Sequence, residues 1–375
     1  MRILFIAHQY LFGNGGGVFA TRAYINAFAE IADEITLCFP MKKGGEPIGI
    51  NPKVRLIPIW DKRSKIRKGI DLLFGQSNRF RKIEKSLLYG DYDLVVFNGS
   101  VTVHGLIDVF KRRGIKVITI FHNYAYEYYR DSTRFPMRIP TLFWINRIEG
   151  EAVRKSDLCL TLTRADKDLL KEHYGMGKEI IEVLGTFEYE RKHHSISKDV
   201  EEAKFLITGN LSAMQTENSL LPWIDDYYPI LKEVFPESTL TLAGKSPSQA
   251  LIQKARENDI NIISSPKSMQ PILAEARYYI CATSLGGGLK LRVMDGLSAG
   301  LPVICHKVSA RGYEEFIKNG VLLVYDDKET FKEQLGRLKT LVINKKDTID
   351  LYEALFSFDS GLKRLEDILR KRNYL

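Results

Sequence analysis

Residues 286–304 read GGGLKLRVMDGLSAGLPVI and follow the apolar run YYIC at Tyr278–Cys281. This is the pattern of a strand, a glycine turn, a helix and a further strand at LPVI. A strand returned by one helix to another strand is the unit of a parallel sheet. The turn is also a place for an anion, because free peptide N–H groups gather where a helix opens. Lys290 and Arg292 are expected in the first helical turn. Cations there oppose the helix dipole, so another cause must hold them, and a bound diphosphate is such a cause. Asp295, seven residues past Gly288, is expected about two turns into the helix, where its carboxylate can accept from a ribose diol. The competing reading is an ordinary strand–turn–helix junction with solvated charges.

The same rhythm runs outward in both directions. Strands are expected at Arg2–Ala7, Glu34–Phe39, Asp93–Phe97, Val117–Phe121, Leu158–Thr163 and Ile180–Val183, with a glycine cluster and a helix, Val18–Ile31, after the first. The polar stretch GTFEYERKHHSISKDV breaks the pattern. It then restarts with strands at Lys204–Thr208, Thr239–Ala243, Ile260–Ile263, Tyr278–Cys281, Val303–Cys305 and Val321–Val324, a helix near Ser219–Val234, and a helical tail over Thr348–Arg372. Strands spaced by helix-length crossovers predict an α/β fold of two Rossmann-like, doubly wound parallel sheets. The expected boundaries are 1–188 for the first domain, 189–200 for a linker and 201–355 for the second. Residues 356–375 form a C-terminal helix that packs on the surface and can cross back to the first domain. Ligands of such sheets lie beyond the carboxyl ends of the strands, so two facing halves place a site in the cleft between them.

Composition narrows the classes. At 375 residues, 45% hydrophobic and 11% aromatic, the chain has enough apolar mass for two cores and is not disordered. The formal charge of +9 suits phosphorylated small molecules, an anionic membrane or nucleic acid without choosing among them. The four cysteines, Cys38, Cys159, Cys281 and Cys305, all sit in apolar runs and read as buried thiols. No stretch of 18 consecutive apolar residues occurs, and MRILFIAHQY reads as a first strand instead of a signal peptide, so the expected location is the cytoplasm.

The 286–304 stretch resembles the nucleotide-binding signature of retaining glycosyltransferases of the GT-B fold, family 4 type, and most closely the bacterial capsule, lipopolysaccharide and exopolysaccharide branch. Other pieces follow in that family's order: FLITGNLS at 205–212 with Asn218 and Trp223, LAGKSP at 242–247, ARGYE at 310–314, Gly15-Gly16-Gly17 after the first strand, and EGEAVRKSDLCLTLTR at 149–164. The resemblance implies a nucleotide-sugar donor, with a UDP-sugar favoured, and a glycan or lipid-linked acceptor. It also implies retention of anomeric configuration by front-face attack, with no cofactor and no metal. By position it assigns donor binding to Gly16, Gly17, Gly209, Asn210, Lys245, Gly286, Gly287, Gly288, Leu289 and Asp295. It places Lys290 and Arg292 at the diphosphate and His122 at the transferring sugar. Asp295 stands where the family has its ribose-binding glutamate. Gly287 stands where many members carry a first glutamate, and the loop GNLSAMQTEN lacks the Arg and Lys that many members carry there.

His122 is also marked by its own position, a polar residue at the end of VITIF, where it can equally be a hydrogen-bonded structural histidine. Asn123 and Glu127 follow it as further candidates. Asp91-Tyr92-Asp93 has the form of a DxD metal motif but sits where a strand starts, the wrong end for ligands. Residues 61–85 carry nine Lys/Arg against three acids, with Leu72, Leu73, Phe74 and Phe80 interleaved. They read either as a solvated face or as a peripheral contact with an anionic membrane. No nucleic-acid module is recognisable. Two other functions fit the same fold: a non-catalytic nucleotide- or glycan-binding partner of an active transferase, and a sugar-nucleotide epimerase.

Overall fold

The computed structural model describes residues 1–13, 15–41, 45–60, 64, 66–67, 70, 83, 85–175, 180–192, 194 and 200–375. Most of the basic stretch 61–85 and half of the expected linker 189–200 lie outside the described residues. The chain divides into two compact units. One comprises Met1–Lys192 with Phe356–Leu375, and the other His193–Leu355.

The first unit is built on seven parallel strands: β1 (Arg2–Ala7), β2 (Glu34–Met41), β3 (Val54–Trp60), β4 (Leu94–Asn98), β5 (Lys116–Phe121), β6 (Leu158–Thr161) and β7 (Ile181–Val183). Their order is β3-β2-β1-β4-β5-β6-β7. Apart from Arg2 at the start of β1 and Asn98 at the end of β4, these two strands are apolar and buried, as central strands covered on both faces must be. β3 is absent from the expected strands. It runs at the sheet edge with Arg55, Leu56 and Trp60 exposed and Pro58 within it, so its sequence carries neither a clean alternation nor a continuous apolar run.

The second unit has six parallel strands: β8 (Lys204–Asn210), β9 (Thr239–Lys245), β10 (Asn261–Ser264), β11 (Tyr278–Cys281), β12 (Val303–His306) and β13 (Leu322–Tyr325), ordered β10-β9-β8-β11-β12-β13. The expected helix over Ser219–Val234 is two helices, Met214–Asp226 and Tyr228–Val234, the second beginning with Pro229 in its first turn. Proline has no N–H to continue a helix but suits a helix start, which explains the break. Both sheets reverse direction at one point, β1 against β4 and β8 against β11. Such a switch point leaves a crevice at the carboxyl ends of the two strands.

The tail is likewise two helices, Lys345–Phe356 and Phe358–Lys371, parted at Ser357, whose hydroxyl caps the second by accepting from the Ser360 N–H. The last helix belongs to the first unit. A Cβ on Gly361 would lie 1.9 Å from the Phe187 ring, so only glycine permits this approach. Arg364 donates to the carbonyl of Leu184 at 3.1 Å, and Lys371 and Arg372 both reach Glu182.

All four cysteines are free and buried. No helix of the described residues is long and apolar enough to cross a membrane.

Candidate functional site

In the second unit the site grows from the carboxyl ends of β8 and β11. Gly286 and Gly288 take φ of 77° and 74°, a left-handed backbone that prolongs the turn. The helix therefore starts later than expected, spanning Arg292–Ser298. Lys290 precedes it, and Asp295 lies in its first turn instead of two turns in. The Tyr313 hydroxyl donates to the Lys290 carbonyl at 2.9 Å and holds that carbonyl at the helix entry.

Three features of this turn are of the kind an anion site offers. The peptide N–H groups of Gly287, Gly288 and Leu289 donate to no acceptor among the described residues, although both glycines are buried. A buried donor left alone costs roughly 1–3 kcal/mol, so native structures rarely keep one without a ligand or water. The Gln215 side-chain Nε2 is also buried without a partner, and Gln215 lies where a Cβ on Gly286 would meet its amide at 2.7 Å. Lys290 Nζ donates to the carbonyls of Gly286 at 2.7 Å and Gly287 at 2.9 Å, turning those oxygens inward and keeping positive charge beside the loop.

Arg292 is fixed by Thr283, at 3.1 Å from Nη1, and by Thr216, which accepts from Nη2. Its guanidinium lies against Gly209, which has φ 139°. A Cβ there would lie 2.4 Å from Arg292 Nε, so glycine at the end of β8 is what gives the guanidinium its place. Asp295 accepts from the Thr208 hydroxyl at 2.7 Å, and Thr208 in turn meets the Tyr279 hydroxyl at 2.5 Å. Burial first, then the nearby carboxylate of Asp295, holds the Tyr279 phenol well above its ordinary value, so it stays protonated and can donate. The next residues of β8 and β9 pair Asn210 with Lys245. Asn210 accepts from Ser212, and the Lys245 side chain is exposed with no ion pair among the described residues. Thr208, Tyr279, Thr216, Thr283 and Gln215 were not singled out in the sequence. They are ordinary strand and helix residues until the sheet brings them to one crevice.

The first unit presents a second polar group at its own switch point. Asn98 ends β4 and is fully buried. Its Nδ2 donates to Gln9 at 3.0 Å and to Thr21 at 2.7 Å, while its carbonyl pairs with His8 Nδ1 at 2.7 Å. Thr21 gives its own proton to the Gly17 carbonyl, which fixes the orientation of the Asn98 amide. Asn98 Oδ1 must then accept from His122 Nε2, 2.8 Å away. His122 is thereby a neutral Nε2–H tautomer with Nδ1 left as an acceptor that has no partner among the described residues. Burial, and secondarily His8, push its pKa down to about 3, so the ring is uncharged throughout the neutral range. The glycine run at 15–17 is exposed ahead of the helix Gly16–Ile31, so Gly16 and Gly17 open that helix. Arg22, buried beneath it, ties down the loop through the carbonyls of Leu11 and Gly13.

Behind His122, two carboxyl groups cap the helix Ala125–Ser132. Glu149 accepts from the Ala125 N–H and Asp166 from the Tyr124 N–H, both at 2.9 Å. Glu149 is fully buried, and burial lifts its pKa to about 8 despite these bonds. Glu127 pairs with Arg130 at 3.8 Å. Asp91 and Asp93 pair with Arg2 at the amino end of β4. Among the described residues no three His, Cys, Asp or Glu side chains are grouped as a metal site.

Two parallel α/β sheets, each with polar residues gathered at its switch point, define the GT-B class. The solved structures agree. The chain is similar to the lipopolysaccharide outer core galactosyltransferase WaaB, with 14% identity, a TM-score of 0.64, and 99% of this chain and 100% of that one covered. Anabaena HepE in complex with UDP matches at 11% identity and a TM-score of 0.65, again over 99% and 100%. The sucrose-phosphate synthase of Thermosynechococcus elongatus matches at 13% and 0.69, over 99% and 98%. At these identities the likeness carries the fold. No curated protein sequence matches the chain. Residues 14–187 match the profile described as Glycosyltransferase Family 4, and residues 202–340 the one described as Glycosyl transferases group 1. Together the two take in most of the chain, and it belongs to this family of retaining, nucleotide-sugar-dependent glycosyltransferases.

Proposed function

We propose that the protein transfers a hexose from a UDP-sugar to a glycan or lipid-linked acceptor during cell-surface polysaccharide synthesis, working in the cytoplasm at the inner face of the membrane. One observation carries the donor assignment: the unpaired N–H groups of Gly287, Gly288 and Leu289 lie beside two cations, Lys290 and Arg292, at the β8/β11 switch point. Charge on the leaving diphosphate develops as the glycosidic bond breaks. Donors already aimed at that position stabilise it without reorganising, which is usually a large part of the rate enhancement. The partnerless Gln215 Nε2 supports the same reading. Asp295, oriented by Thr208, holds the ribose, and Lys245 and Asn210 border the phosphates. In the first unit the unshared Nδ1 of His122 receives a sugar hydroxyl, and the Gly16–Gly17 backbone allows close approach. That HepE was solved with UDP, and with UDP and glucose, favours uridine and a hexose.

The test is calorimetric titration with UDP and with UDP-hexoses, followed by product analysis with lipid-linked acceptors. Asp295→Ala and Lys290→Ala should each weaken UDP binding about tenfold or more. Unchanged affinity in both would remove the proposed site. Gly287, standing where many members have a glutamate, favours a second reading as a non-catalytic binding partner. Tight UDP binding with no release of diphosphate from any UDP-hexose, with or without acceptor, is the result that would select it.

A further inference from the structure

The helix Arg138–Lys155 buries one face through Trp144, Ile145, Ile148 and Ala152. Its first half, with the turn before it, is apolar on the outside as well. Phe135 is 74% exposed, Ile139 66% and Phe143 75%, with Met137 beside them at 39%. Ile139 and Phe143 stand four residues apart, hence on one side of the helix, with Arg147 four ahead, and Phe135 lies in the turn that precedes the helix. Single exposed apolar residues need no explanation, but several large ones gathered in one turn and the helix start that follows it mark a contact surface.

The charge on this face is of one sign. Residues 132–148 contain Arg134, Arg138 and Arg147 and no acid. All three arginines are exposed, and none makes an ion pair among the described residues. A second copy of the chain would bring like charges together across a two-fold axis, so the pattern disfavours self-association. Phenylalanine and isoleucine ringed by unpaired arginines are instead what a shallowly inserted, interfacial helix presents to acidic lipid.

We infer that the surface formed by Phe135, Ile139 and Phe143 with Arg134, Arg138 and Arg147 docks the first unit onto an anionic lipid bilayer. The apolar side chains enter the acyl boundary, and the guanidinium groups meet lipid phosphates. This surface is separate from the basic stretch 61–85 and owes nothing to the identity of donor or acceptor, so vesicle binding is read without substrate.

The experiment uses the full chain with vesicles of phosphatidylcholine alone and of phosphatidylcholine mixed with phosphatidylglycerol. Binding should require the anionic lipid and weaken with salt. Each arginine near such a surface contributes about fivefold, so Arg134→Gln/Arg138→Gln/Arg147→Gln should bind about 100-fold more weakly. Phe143→Ser should lose about tenfold. Phe143→Trp should gain fluorescence, over that of the parent, that brominated acyl chains quench. UDP titration and circular dichroism establish that each variant remains folded. Anionic-vesicle binding that survives both the arginine and the Phe143 substitutions, or a residue-143 tryptophan that brominated lipid leaves unquenched, overturns the inference. So does a dimer in light scattering that Phe143→Ser dissolves.

Discussion

Thr208→Val separates the donor-site argument from its alternatives. The substitution keeps the side chain's shape and deletes one hydroxyl. Thr208 is 1% exposed and Tyr279 0%, so no water replaces the lost partner. The bond to Asp295 involves a carboxylate and contributes about 1.5–3 kcal/mol, and the orphaned Tyr279 hydroxyl costs about 1–3 kcal/mol more. The second unit should therefore lose about 3–5 kcal/mol, followed in urea by the fluorescence of buried Trp223, and Thr208→Ser should recover most of it. If Thr208 acts on the nucleotide through Asp295, Thr208→Val should also weaken UDP binding by about tenfold, or about 1.4 kcal/mol. The decisive comparison is the double-mutant cycle. In an Asp295→Ala background, Thr208→Val should leave UDP affinity unchanged. An equal loss in both backgrounds would show that the hydroxyl does not work through the carboxylate, and the ribose assignment would fall with it.

Three further outcomes are expected. Gly209→Ala should cost about 2 kcal/mol of stability, because the new Cβ meets Arg292 and the φ of 139° suits glycine alone; Arg292→Ala in the same chain should relieve the collision, as thermal unfolding will show. Glu149 has a folded pKa of about 8, above its unfolded value, so its contribution is fully present below about pH 4.5 and is lost as pH rises through 8. Unfolding measured across this window should show a decline of a few kcal/mol that Glu149→Gln flattens. His122→Ala should lower turnover about 10–100-fold with UDP affinity little changed, and the wild-type pH–rate profile should lack a histidine inflection near 6.5, since His122 is already neutral above about 3.

Much of this was legible in the order of residues. Apolar runs such as RILFIA and LVVFN announce central parallel strands because both faces of such a strand are buried. Gly286–Gly288 announced a turn after β11, and the structure keeps Lys290 and Arg292 beside it. What stayed hidden needed the third dimension. Thr208 and Tyr279 lie 71 positions apart, and their contact follows from β8 and β11 being neighbours. The left-handed glycines shifted the helix start and brought Asp295 into its first turn, a backbone effect that spacing alone does not reveal. His8 and Asn98 carried the same signal used for His122, a polar residue closing an apolar run, and that signal could have found them. β3 was missed because an edge strand with proline and exposed side chains has lost the alternation that identifies strands.

The placement of Phe358–Lys371 bears on how the chain is made. Glu182, Leu184 and Phe187 gain a part of their contacts, those with Gly361, Arg364, Lys371 and Arg372, only when residues 361–372 have emerged. The unit translated first is thus completed last, while His193–Leu355 can fold in the interval. Clipping or tagging at the carboxyl side should therefore injure the amino-terminal Rossmann unit and spare the one that is nearer in sequence.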